Sequence, residues 1–457
     1  MSAPLLILIL GGTLAVASFV LRGRGTAWLI AAGGSILLAG VALGIVLGEP
    51  FEVLGLSVRL DANWTFLGRS LVLRAENRPL VTFLFLAGGL LLTAAWASDA
   101  PRRLAPLGLT MLLALAAAMM IEPFVFAPTL IAAAAIVGCL VVVRPAGASG
   151  RAAPRLMVSY CLGMMAILIA GWLIEIGGAT AAPESPARTA SILLGLGLAI
   201  LVITPPFHTW LTATADEAHP AAFAFVSVLL QTSGLFLLVT SLGSYAWMRT
   251  DPLVYAFLRG IGLLMIALGG AWCLVERRIA RLVAYALLVD FGISLLALSL
   301  GTSAEAGMAL GMSGARPLAL AVWVAGVGNL FRGPPVAGGA SRPIRRWAAV
   351  AAIAGALSVA GFPLTAGFPG RWMTLTAVAS ASPWVTAAAL FGLAATWLAV
   401  GRWVIALLSH PADEEAGLST GREIVLGGGT ALIVLFGLLP AGILAWAMAA
   451  LGQGAGS

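Results

Sequence analysis

"TPPFHTWLTATADEAHP", residues 204 to 220, stands between two long apolar runs and gathers His208, Asp216, Glu217 and His219 behind a Pro-Pro pair. If its flanks cross a membrane, the break decides the fold, because proline frees helix carbonyls that hydrocarbon cannot satisfy. The flanks do read that way. The chain of 457 residues is 61% hydrophobic and 9% charged, with a mean hydropathy of +1.05. Those values exclude a water-soluble globule and a disordered chain. Continuous runs of about twenty apolar residues recur along the whole length, where barrel strands would show weak alternation over about ten. The fold class is an all-α polytopic membrane protein.

Apolar runs lie near 4–21, 26–48, 79–97, 104–121, 123–143, 156–178, 190–206, 221–243, 254–275, 282–301, 316–331, 346–362, 364–382, 384–408 and 422–450. Runs 346–362 and 364–382 lack a clean boundary and read as halves of one broken twelfth span, which leaves about fourteen. The first run lacks a basic segment before it and is followed by arginines, so it reads as a retained span rather than a signal peptide.

Arginine sets the expected topology. Loops after odd-numbered spans hold Arg22, Arg24, Arg102, Arg103, Arg144, Arg151, Arg155, Arg277, Arg278, Arg281, Arg332, Arg342, Arg345 and Arg346, about twice the number in even-numbered loops. Positive charge marks the cytoplasmic side, so both termini are expected outside. Segment 49–78 is expected to form an extracytoplasmic hairpin: "FEVLGLSVRLD" alternates in period two, "NW" turns, and "TFLGRSLVLR" returns.

A second break answers the first. "VAGFPLTAGFPGRW" (359–372) interrupts span 12, five spans after the Pro-Pro at span 7. Corresponding Pro/Gly breaks point to internal repeats with a site at midplane depth, and an odd repeat of five spans must be inverted. The expected organisation is one transmembrane domain, 1–457. Within it lie N-terminal spans with the hairpin (1–103), two five-helix repeats (104–243 and 254–408) and a final span (422–457). Two ordinary proline kinks are the plainer alternative.

Other chemistry has little support. Cys139, Cys161 and Cys273 stand singly in apolar runs, with no Cys/His spacing suited to a cluster, zinc or disulfide. No Walker A or dinucleotide fingerprint is present. No cofactor, metal or nucleic-acid partner is expected, and no catalysis in this chain alone. One compositional fact matters more: all 25 basic residues are arginine, with no lysine. Lysine can give up its proton when buried, whereas arginine stays protonated.

At this point the motifs resemble a known family. "PFHTWLTATADEAHPAAFAFVSVLLQTSGLF" (206–236) is similar to the "PFHTWLPDAHxxAPTPVSALL…K" stretch of antiporter-like membrane subunits of respiratory complex I, Mrp-type antiporters and membrane-bound hydrogenases. "RRIARLVAYALLVDFGISLLAL" (277–298) resembles the family's "KRLLAYSSISHMGY" segment, and "GFPLTAGFPGRW" (361–372) its "GxPPxAGFxGKF" segment. The resemblance implies fourteen helices, broken helices 7 and 12, and both termini outside. The length suits the shorter complex I types, without a lateral-helix extension. It also implies proton transfer through a glutamate on helix 5, lysines on helices 7 and 8, and a lysine or glutamate on helix 12. Here those positions hold Ile131, Leu201, Gln231 and Arg371, and the helix-10 histidine position holds Asp290.

Leucine and isoleucine carry no exchangeable proton, glutamine has no ionisation near neutrality, and arginine cannot unload. A channel of the family's usual kind is therefore expected to be inactive. The polar groups left to build a rerouted path are Glu175, His208, His219, Asp290 and Arg371. The structural alternatives are that both histidines fix the connector by hydrogen bonds and that Glu175 sits at the interface. Asp290 is about three helical turns from Arg277–Arg281, so its partner belongs to another span.

The expected role is an antiporter-like subunit of a complex I-type membrane arm in a bacterial inner membrane, embedded in lipid beside other arm subunits, which would carry NADH oxidation and quinone reduction. The alternatives are an independent ion/proton antiporter and a structural subunit of a membrane-bound hydrogenase or carbonate-uptake complex.

Overall fold

The computed structural model describes residues 2–23, 25–45, 50–53, 56–66, 68–143, 150–179, 184–330, 344–409, 412–413 and 419–439. Of the turn-rich connectors expected at 144–155 and 332–346, residues 144–149 and 332–343 lie outside the described residues, as do Glu414, Glu415 and the stretch after 439. The helices are α1 (Ala3–Val20), α2 (Thr26–Gly44), α3 (Arg78–Ala97), α4 (Leu104–Met120), α5 (Ala127–Val142), α6 (Ala152–Ala179), α7 (Glu184–Leu201), α8 (Thr209–Glu217), α9 (Pro220–Ser244) and α10 (Ala246–Thr250). They continue as α11 (Pro252–Val275), α12 (Ile279–Leu298), α13 (Ser303–Asn329), α14 (Arg346–Ala360), α15 (Phe368–Ala381), α16 (Pro383–Leu408) and α17 (Thr420–Leu438). Among the described residues, eleven helices are long and apolar enough to cross a membrane, and α4, α14 and residues 188–201 of α7 are shorter apolar helices.

Local sequence explains many helix starts. Pro4, Pro128, Pro220, Pro252, Pro369 and Pro383 occupy first-turn positions, where a missing N–H costs nothing. Asp251 caps α11 by accepting the Leu253 amide at 2.8 Å, and His219 Nδ1 caps α9 by accepting the Ala221 amide at 3.2 Å.

Segment 49–78 departs from the expected single hairpin. It forms two antiparallel pairs, Pro50–Val53 with Leu56–Arg59 and Asn63–Phe66 with Arg69–Val72. Asn63 and Trp64, expected as the turn, are in a strand. The second reversal instead uses Gly68, whose φ of 72° is open to glycine. Ile121–Glu122 adds a third strand to the second pair, and Glu122 pairs with Arg74 at 2.8 Å.

The chain divides into two compact units. The first comprises residues 1–89, 102–210 and 229–238; the second comprises 90–101, 211–228 and 239–457. In the first, α4 packs on α1 and α5, and α6 on α5 and α7. Trp210 of the PFHTW motif is fully buried and meets Tyr160 of α6 edge-on, with ring centroids 5.7 Å apart. In the second, α12 is surrounded by α11, α13, α14, α15 and α16. Residues 286–298 of α12 are all buried, and Gly262 and Gly292 let α11 approach it so closely that a Cβ on either would meet the other's carbonyl oxygen within 2.8 Å.

Both sequence breaks are real interruptions. Between α7 and α8 lie Ile203 in the left-handed region (φ 62°) and a cis Pro205–Pro206 bond. Between α14 and α15 lie Gly361 (φ 69°) and Leu364 (φ 70°). Residues 209–217, read from sequence as connector, fold into the short helix α8.

Candidate functional site

The second break builds a buried charge cluster in the second unit. α14 ends in a left-handed glycine cap: the Gly361 amide donates to Ser358 O at 3.0 Å and the Phe362 amide to Leu357 O at 2.9 Å. Two more last-turn carbonyls are satisfied by side chains. Trp397 Nε1 donates to Ala360 O at 3.0 Å, and Arg371 Nη2 donates to Val359 O. Arg371, the fourth residue of α15, reaches back across the break as a cation at a helix C-terminus. Gly361 makes that reach possible, since a Cβ there would lie 2.0 Å from Arg371 Nη1.

Arg371 meets the carboxylate of Asp290, its Nε donating to Oδ1 at 2.8 Å. The other oxygen, Oδ2, accepts from Nε of Arg316. Arg316 also donates to Ser313 Oγ at 3.0 Å and to Ser294 Oγ, and its guanidinium lies over the Phe291 ring, 3.9 Å from the centroid. Asp290, Arg316 and Arg371 are 3%, 4% and 3% exposed. These values place one carboxylate and two guanidiniums out of water, with a net charge of +1.

The three helices lend themselves to this. α12 presents Asp290 from near its middle, with Ser294 one turn on. Arg316 lies at the midpoint of α13, beside an in-helix Pro317. The apolar run expected at 316–331 puts Arg316 at its head, where a membrane boundary would fall. The structure corrects this: α13 starts at Ser303, and Arg316 is an interior residue. The available signal was the uncharged stretch 306–315 ahead of it, glycine-rich and of low hydropathy but long enough to complete a span.

The other expected residues fall elsewhere. Glu175 is exposed, four residues before the end of α6. His219 serves as the cap of α9. His208 is half-buried after the Pro-Pro pair, and its Nδ1 has no hydrogen-bond partner among the described residues. Of the five groups considered for a rerouted path, the structure brings Asp290 and Arg371 together. Ile131, Leu201 and Gln231 are all buried in the first unit. Both amide atoms of Gln231 are without a partner among the described residues. α9 passes the end of α7 so closely that a Cβ on Gly234 would lie 2.6 Å from Leu201 O.

At the expected cytoplasmic side, Asp216 at the end of α8 accepts from Arg278 Nη1 and Arg281 Nη2, each at 2.6 Å. Partial burial disfavours its charge, but the two arginines outweigh burial and hold its carboxyl below the usual carboxylate range. Arg402 donates to Leu274 O at 2.7 Å and Glu276 O at 2.8 Å and so closes the C-terminus of α11. Among the described residues no three His, Cys, Asp or Glu side chains gather as a metal would require.

Comparison with known proteins fits this arrangement. The family model for the NADH:quinone oxidoreductase/Mrp antiporter transmembrane region matches residues 161–398, just over half of the chain. The chain belongs to that family. It is 30% identical over 267 residues to NADH-quinone oxidoreductase subunit N of Cereibacter sphaeroides, covering 55% of this chain and 56% of that protein. The chain thus spans little more than half the length of such relatives. Its fold is similar to a chain of the Mrp complex from Dietzia sp. DQ12-45-1b, with a TM-score of 0.79 and 17% identity over 99% of this chain and 52% of that one. It is also similar to a chain of respiratory complex I from Thermus thermophilus with bound NADH, with a TM-score of 0.70 and 19% identity over 98% of this chain and 100% of that one. At those identities the likeness is one of fold. The chain is an antiporter-like, multi-pass membrane protein.

Proposed function

We propose that this chain works as a subunit of a complex I-type membrane arm in a bacterial inner membrane, with both termini extracytoplasmic, and that it has no proton path of the family's usual kind. Other arm subunits would surround it, and redox chemistry would belong to them. Its own contribution would be to complete and seal the arm.

One observation carries the reading: the fully buried positions expected to load protons hold Ile131, Leu201 and Gln231. No side chain there can take up and release a proton near neutral pH. The charges of the second unit support it too. Asp290 is engaged by Arg371 and Arg316 at once, and arginine is not a side chain that sheds its proton in proteins. The two inverted five-helix repeats, 104–243 and 254–408, remain part of this proposal, and the matched breaks after α7 and α14 support them.

The test is to purify the tagged chain from its native membranes and identify what comes with it. Co-purifying iron–sulfur and quinone-site subunits are expected. In that complex Leu201→Ala and Gln231→Ala should leave protons pumped per electron unchanged. Migration alone, together with ion exchange in liposomes, would contradict the assignment.

A further inference from the structure

The triad has one cation too many. Two guanidiniums face one carboxylate in a buried cluster, and arginine cannot shed its charge as a buried lysine can. Helix ends do not remove the excess. The C-terminus of α14 offers roughly half a negative charge to Arg371, but the N-terminus of α15, three residues before it, carries roughly half a positive charge.

A cavity of about 30 Å³ lies against this cluster, lined by Asp290, Arg316 and Arg371 and by Gly367 and Gly370 at the N-terminus of α15. Asp290 is the one acidic residue among those lining it. A cavity needs roughly 10–15 Å³ to hold one water, so this one has room for a halide ion. The first amides of α15 are already used, Gly367 N–H by Ser358 Oγ at 3.2 Å and Phe368 N–H by Thr365 O at 3.0 Å, and Pro369 has none, so the arginine is the group left to hold an anion. Arg371, 3% exposed, lines the cavity, and its Nη1 has no hydrogen-bond partner among the described residues. Every nitrogen of Arg316, by contrast, has a protein acceptor.

We propose that this cavity binds a small monovalent anion of halide size, held by Arg371, which neutralises the triad. A water could satisfy Nη1 but would leave the charge. A divalent anion would overcompensate a net charge of +1.

The experiment uses bromide as the probe on the full chain. A structure determined in sodium bromide should show an anomalous peak within hydrogen-bonding distance of Arg371 Nη1. The melting temperature should rise saturably, by about 2 °C or more, when bromide replaces gluconate at constant ionic strength. In Arg371→Gln the remaining Asp290–Arg316 pair is neutral, so the bromide-dependent rise should vanish. No peak at Arg371 in the unsubstituted chain overturns the proposal even if the variant fails to fold. An undiminished bromide effect in a folded Arg371→Gln overturns it as well.

Discussion

The two compact units handle the same problem, polar function inside hydrocarbon, in opposite ways. In the first, the buried positions that the family resemblance marks for proton transfer hold an isoleucine, a leucine and a glutamine. In the second, charge is kept, but Asp290 is clamped between Arg316 and Arg371, and Arg371 also caps a broken helix. On the function proposed above, neither arrangement serves as a carrier that must gain and lose a proton on each turnover. The comparison teaches that a buried ionisable residue is not by itself a sign of transport. What matters is whether its partners let the charge change, and arginine partners do not.

The largest effect should come from breaking the clamp. Asp290→Asn leaves two buried guanidiniums without their shared carboxylate and should destabilise the chain by about 3–5 kcal/mol, read as a lower melting temperature and poor recovery from membranes. A near-neutral result would mean that water reaches the cluster freely.

Next in size is the glycine that seats Arg371. Gly361→Ala imposes a side chain at φ 69° and a contact on Arg371 Nη1, and a loss of about 1–3 kcal/mol is expected, again by thermal melting. In the first unit the sign should reverse. Gln231→Leu removes a buried amide without partners among the described residues, so stability should stay level or rise by up to about 2 kcal/mol. A marked loss there would show that Gln231 is engaged by groups outside the described residues.

The smallest effect is at the surface and depends on pH. Asp216 has a lowered folded-state pKa, so its contacts with Arg278 and Arg281 contribute fully above its unfolded value near 4 and fade as pH falls through the lower folded value. A contribution of about 0.5–1 kcal/mol is expected, given the exposure of Arg278. Melting curves from pH 6 to pH 3 should show that increment lost in the parent chain and absent throughout in Asp216→Asn.

Much of this was legible in the sequence, for physical reasons. Hydrocarbon forces helices to be long and apolar, so the spans could be read from composition, and both breaks announced themselves through proline and glycine. Arg371 could be found because it follows such a break. Arg316 was missed because an arginine at the head of an apolar run has two physical meanings, a membrane boundary or a buried ion partner. Only tertiary packing with Asp290 decides between them. The turn in segment 49–78 was misplaced for a related reason. Asn63–Trp64 has turn-compatible chemistry, but strand pairing overrode it and the reversal went to Gly68. His219 illustrates the converse, a titratable side chain whose visible task is to cap a helix.

The most direct check is proton flux through the chain alone. Reconstituted into liposomes with an imposed pH gradient and an internal pH-sensitive dye, it should dissipate that gradient no faster than protein-free vesicles between pH 6 and 8. A protein-dependent proton flux that disappears on replacing His208 or Glu175 would contradict the account.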